Sequence, residues 1–244
     1  VAAGTYELAS PIAISEDIAL LGGFSPDDWA VRETDAAWAV SGDTTSTYPT
    51  ELRIPGVGAT TVVSIYQASG EPHVDGFTIL GPSGTDSSCI QVYDSAAVIS
   101  SCSIQGGQAE SSIGVMVYVA EPDISLCSVN GGSSDLSTGI FAYQSTATVA
   151  DCIVNGGTGE QTSAVKLLES GGLVERCSLY AGNGRSDAVA IYAEDGSHAT
   201  IRNNLIDAGT GSSTFGIWVK TSNPLIQNNI IDGGGASIFS DSIA

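Results

Sequence analysis

A 25-residue period, apolar alternation within each period and a glycine-rich turn closing it predict an all-β fold: a right-handed parallel β-helix of about 25 residues per coil. Cysteine carries the period. Cys102, Cys127, Cys152 and Cys177 lie 25 residues apart, in ISSCSI, ISLCSV, VADCIV and VERCSL. Phe77 takes the same position one coil earlier, and Asn204 and Asn229 take it in the coils after. Two residues on, the position is always aliphatic: Ile79, Ile104, Val129, Val154, Leu179, Ile206 and Ile231. Gly106-Gly107, Gly131-Gly132 and Gly156-Gly157 then mark turns.

A second segment keeps the same step. Ile90-Gln91-Val92-Tyr93 is answered by Val115-Met116-Val117-Tyr118 and Ile140-Phe141-Ala142-Tyr143, then by 165–168, 189–192 and 217–220. Period 2 within each makes them strands with one inward face. Gly114, Gly139 and Gly216 lead into them, where the chain turns a corner. Each coil thus holds at least two strands and a Ser/Thr-rich link with room for a third. Equivalent positions recur in one chain direction, so the strands stack in parallel rather than as hairpins, and the crossover rule sets the hand. The expected organisation is one β-helix domain over 1–244, with 1–59 as opening coil and cap and 60–244 as regular coils, within a longer chain.

Composition agrees. With 42% hydrophobic residues, 14% charged and 30 glycines, the chain has material for a core and for many turns. Seven basic residues against 27 acidic ones give a net charge of −20, which disfavours nucleic acid, anionic membrane surfaces and polyanionic glycans. No apolar run approaches the ~20 residues of a membrane span, so no membrane insertion is expected.

Three rows of side chains follow from stacking at ~4.8 Å. The cysteine row is expected to be reduced, buried and packed as small apolar groups, because in-register Cβ atoms sit farther apart than a disulfide prefers; Asn204 and Asn229 extend it as a hydrogen-bonded ladder. Cys89 falls outside that row, beside Gly114 and Gly139. Tyr66, Tyr93, Tyr118, Tyr143 and Tyr192 are expected to form an aromatic row, either structural stacking or a sugar-binding strip. Met116, Phe141, Lys166 and Trp218 beside it leave an apolar exposed track. The candidate ligand-binding residues are accordingly Tyr93, Tyr118, Tyr143, Met116, Phe141 and Trp218. Glu110, Asp135 and Glu160 recur at 25-residue intervals in the link, where Ca²⁺ would relieve their repulsion unless the link splays them into water. Asp151 and Arg176, one coil apart, read as a surface ion pair.

Two stretches break the period. Residues 24–50 begin like a capped helix (Ser25-Pro26-Asp27-Asp28), with Trp29 and Trp38 as anchors of a lid over the first coil. Glu194–His198 looks like a three-residue insertion.

The phrases IRNNLIDAG and IQNNIIDGG, followed by GIW and SI segments, resemble the parallel β-helix repeat of pectate-lyase-like secreted proteins over about residues 60–244. The opening GTYELASPIAI…IALLGGFSPDDWAVRE is similar to the first coil of large bacterial surface β-helix proteins. The resemblance implies an extracellular or cell-surface setting and is specific for fold, since that repeat serves lyases, hydrolases, adhesins and stalks alike. A lyase needs a free Lys or Arg base beside acidic ligands, and a hydrolase needs converging carboxylates; no such cluster stands out, and no catalytic residue is assigned. The expected function is a non-catalytic structural or adhesive module. It would associate with a neighbouring β-helix or adjacent domain at its C-terminal end and could contact glycan. A carbohydrate-active enzyme is the alternative.

Overall fold

The computed structural model describes residues 1–25, 27, 49–56, 58 and 60–241. The lid expected around Trp29 and Trp38 lies outside them. Every regular element among the described residues is a strand, and every pairing is parallel, so the chain winds as the repeat requires. Each coil carries three strands, but the third does not come from the link. The ISSCSI-type segments are split by their cysteine into two short strands, as in Val98–Ser100 and Ser103–Gln105. The Ser/Thr-rich link is no loop: it joins the second segment in one long strand, Gln108–Tyr118 in that coil and Ser133–Tyr143 in the next.

Stacking these gives three parallel sheets. Sheet I contains Val98–Ser100 and its equivalents, sheet II contains Ser103–Gln105, and sheet III the long strands; they hold eight, nine and nine strands among the described residues. The register is the predicted one along the aliphatic row, with Ile79, Ile104, Val129, Val154, Leu179, Ile206 and Ile231 paired in succession. Except for Ile231 in the last coil, these residues are at most 2% exposed and form the core with Phe77, Ile90 and Ile191.

The three corners are built differently. Between sheets I and II one residue adopts left-handed φ, Ser101 (51°), Leu126 (54°), Asp151 (55°), Arg176 (54°), Asn203 (56°) or Asn228 (52°), and the next side chain turns inward. That inward residue is the Cys/Asn position. All five cysteines are free and buried, and each thiol of the row donates to the carbonyl two residues before it, as Cys127 Sγ does to Ser125 O at 3.2 Å. Burial pushes the Cys89 and Cys127 thiols well above the ordinary range. Asn204 does more: it accepts from Cys177 N at 2.9 Å and donates to Val174 O at 2.9 Å, and Asn229 repeats the pattern one coil on.

Between sheets III and I the same device recurs with serine. Gln67, Asp94, Val119, Gln144, Glu169, Asp195 and Thr221 are left-handed, and a small residue follows, buried at Ser95, Ala120, Ser145 and Ser170; after Asp195 a second left-handed residue, Gly196, precedes the buried Ser197. Ala120 N donates to Ser145 Oγ (3.1 Å), Ser145 N to Ser170 Oγ (3.2 Å), Ser170 N to Ser197 Oγ (3.1 Å) and Ser197 N to Ser222 Oγ (3.1 Å). The third corner, from sheet II to III, uses glycine: Gly132 has φ of 96°, and a Cβ there would lie 2.5 Å from Gly107 O.

Within the long strands, alternation changes phase at Gly139-Ile140, where both residues are buried. A Cβ on Gly139 would meet Val154 Cγ1 at 2.5 Å, so the strand folds inward against sheet II at that point. Gly114 and Gly216 do the same, and Cys89, Ala164 and Ala190 fill that row in the other coils. The corner expected at these glycines is therefore a crease within a continuous strand.

Candidate functional site

Folding each long strand at this row makes the outer surface of sheet III concave. One wall carries the outward residues after the fold, Gln91, Met116, Phe141, Lys166, Tyr192, Trp218 and Phe239, in register from coil to coil. The other carries those before it, Asp86, Ser111, Leu136, Gln161, Asp187 and Ser213. Two cavities of about 330 and 300 Å³ fill the crease and share Ser111 and Ile113 in their lining, so they form one groove along the solenoid axis.

The first wall is aromatic at its C-terminal part. Ring centroids of Tyr192 and Trp218 lie 5.0 Å apart, Phe215 and Trp218 4.8 Å, and Trp218 and Phe239 5.8 Å. Lys166 interrupts it, with Nζ 5.1 Å above the Tyr192 ring and 3.9 Å from Glu194. Glu194 also accepts from Lys220 Nζ at 2.5 Å. Partial burial, which raises the Glu194 carboxyl, is outweighed by Lys220 and Lys166, so it titrates below the usual range. Lys220 is held above its own range by that hydrogen bond. Burial and the Glu194 charge push Tyr192 up. Thr162, 1% exposed, contributes to the groove lining, and its Oγ1 has no hydrogen-bond partner; neither has the buried Trp218 Nε1.

The predicted ligand residues divide. Met116, Phe141 and Trp218 share the crease wall. Tyr93, Tyr118 and Tyr143 form the next row outward with Tyr66, stacked at centroid distances of 4.9, 5.5 and 4.8 Å. Tyr192 does not belong to this row, contrary to expectation. A one-residue bulge opposite Gly159/Gln161 shifts its strand, so Tyr192 pairs with Lys166 and Trp218 while Leu168, Glu194 and Lys220 continue from Tyr143. The break at Glu194–His198 is correspondingly smaller than expected. Leu173 pairs with Thr200, 27 residues on; one extra residue is in the bulge and one in the turn at Gly196.

Glu110, Asp135 and Glu160 hold equivalent places at the start of the long strands, between residues that pair in register. Sequence reasoning missed that Arg185 stands next in the series, 25 residues after Glu160. Its guanidinium donates to Glu160 at 3.0 Å and to Asp135 at 3.2 Å. The row borders a shallow groove of about 730 Å³, and another of about 720 Å³ follows the glycine corner. Both are larger than the crease, but their walls are largely glycine, serine, threonine, asparagine and glutamine, with Glu110, Asp135 and Arg185 in the first and Tyr180 and Asp207 in the second. Among the described residues, no three His, Cys, Asp or Glu side chains are gathered to hold a metal ion. Asp151 and Arg176 form the expected ion pair, at 2.8 Å.

The architecture defines the class: a right-handed parallel β-helix protein. Residues 132–242 match the family model described as right handed beta helix region. None of the curated proteins compared matches the chain. Among solved structures it is similar to an alginate lyase from Paenibacillus sp. str. FPU-7, at 10% identity and a TM-score of 0.49, over 82% of this chain and 81% of that one. It is similar also to the enzymatically active domain of tailspike protein 2 of bacteriophage CBA120 (13%, 0.40, 95% of this chain and 39% of that one). Pectate lyase Pel9A is a third (10%, 0.35, 96% and 75%). None of these likenesses bears on what this chain binds.

Proposed function

We propose that the chain is a non-catalytic adhesive or structural β-helix module of a secreted or cell-surface protein, and that the crease is its glycan-contacting strip. The observation that carries the reading is the pairing of an aromatic wall with a hydroxyl, amide and carboxylate wall, repeated in coil-sized steps on a continuous sheet. Aromatic faces suit the apolar faces of sugar rings, and the opposite wall suits their hydroxyls. Two features favour binding over cleavage. Each of the six described basic residues, Arg53, Lys166, Arg176, Arg185, Arg202 and Lys220, is ion-paired with a carboxylate, and a lysine held above its range is a poor proton acceptor. The carboxylates run in rows along the axis instead of converging on one point.

The alternative, a carbohydrate-active enzyme, draws support from Lys166, Glu194 and Lys220 meeting beside the crease. A panel of neutral and acidic oligosaccharides, scored for binding and for cleavage, separates the two. Binding without cleavage, weakened by Phe141→Ala and Trp218→Ala, is expected; cleavage would overturn the reading. The panel is run with Ca²⁺ and with chelator, because Ca²⁺ at Glu110, Asp135 and Glu160 would have to displace Arg185. Contact with a neighbouring β-helix or domain at the C-terminal coil belongs to the same proposal; sedimentation at rising concentration tests self-association.

A further inference from the structure

We infer that the crease takes a linear aminoglycan carrying free ammonium groups, with Asp86 and Asp187 as the carboxylates that pair with them. This rests on the glycan reading and narrows it. The polar wall holds two carboxylates, and among the described residues neither has a basic partner. Asp187 accepts only from Gln161 Nε2 and Ser186 Oγ, each at 3.3 Å. Asp86 is exposed and makes no ion pair. Elsewhere in sheet III, Arg185 covers Asp135 and Glu160, and Lys220 and Lys166 cover Glu194. The one cation on the opposite wall, Lys166, is taken up by Glu194 and the Tyr192 ring. The net charge of −20 adds a field that concentrates cationic polymers and repels uronates.

Spacing selects a sugar over a basic peptide. Asp86, Ser111, Leu136, Gln161 and Asp187 follow one another in register over four coil steps. A pyranose repeat of about 5 Å keeps step with the ~4.8 Å coil spacing, whereas an extended peptide advances by ~3.4 Å per residue and falls out of phase. The ring of Trp218 favours an ammonium-bearing sugar further through cation–π attraction.

The test is calorimetric titration of the whole chain with three hexamers: β-1,4-linked glucosamine, its N-acetylated counterpart and oligogalacturonate. Hexalysine serves as a cationic peptide. The glucosamine hexamer should bind at about pH 6 and lose most of its affinity at about pH 9, once its amines are neutral. Asp187→Asn should weaken it about tenfold, and Asp86→Asn by a smaller factor. Asp123→Asn, which removes the same charge from sheet I, should change it little. If the acetylated hexamer binds equally well and ignores Asp187→Asn, this inference fails and the glycan reading stands. If no hexamer binds, both fall. Hexalysine binding with the same dependence on Asp187 and Trp218 would show a peptide groove and overturn the assignment.

Discussion

Two corners of the solenoid use one backbone device and fill it with opposite chemistry. At each, a single left-handed residue turns the chain and the next side chain points inward, stacked on its counterparts. Between sheets III and I that side chain is mostly serine, whose hydroxyl receives a backbone N–H from the coil before at about 3.1–3.2 Å. Between sheets I and II it is cysteine through most of the regular coils, and the corresponding contact, Cys127 N to Cys152 Sγ, is 3.5 Å long. Asn204 and Asn229 then restore oxygen acceptors. The corner backbone thus tolerates both a polar ladder and a near-apolar column, and the stabilisation is expected to move from hydrogen bonding to packing between them.

The largest effect should come from Asn204→Leu. It removes the acceptor for Cys177 N and the donor to Val174 O in a site 2% exposed, leaving buried backbone groups unpaired. A loss of about 2–4 kcal/mol is expected in urea unfolding. Asn204→Cys extends the column and should cost clearly less; equal losses would mean the two fillings are not interchangeable. Alkali should separate the corners next. Because Cys127 has a raised folded-state pKa, its contribution is fully present below the unfolded thiol pKa and is lost as pH rises above about 8.5. Stability should fall by roughly 1 kcal/mol per pH unit for this thiol, and Cys127→Ala should flatten that slope. Ser170→Ala, which leaves Ser145 N without its acceptor, should cost about 1–2 kcal/mol with no added alkaline sensitivity. The smallest effect concerns the turning residue itself. Val119 is β-branched at φ of 50°, a conformation asparagine tolerates far better. Val119→Asn is expected to gain about 1 kcal/mol by the same unfolding measurement; a loss would show that its side chain packs usefully across the corner.

Much of this was legible because a repeat prints itself in sequence. The cysteines gave the coil length and the aliphatic row its register. The extension of the long strand was hidden because Gln108-Ala109-Glu110-Ser111-Ser112 carries weak strand preference, and pairing with neighbouring coils overrides it. The serine ladder was visible at 145, 170, 197 and 222 but lost among the many serines of the turns. Tyr192 was misassigned because a bulge of one residue leaves no motif behind it, and Val189-Ala190-Ile191-Tyr192 resembles its neighbours better in the wrong register than in the right one. The crease escaped for a related reason: a fold inside a strand shows only as two buried residues in succession, and Gly139-Ile140 reads as a turn followed by a strand.

That bulge has a consequence for how such a chain can change. The additional residue near Ser186 and the one at Gly196 displace Tyr192 and the turn, yet by Thr200 the strands again face their partners and the next step from Asn204 to Asn229 is 25 residues. Each corner acts as a checkpoint that resets the count, so a frame slip stays confined to the circuit in which it arises. Length can then drift one residue at a time in any single circuit, and the groove running past it stays intact.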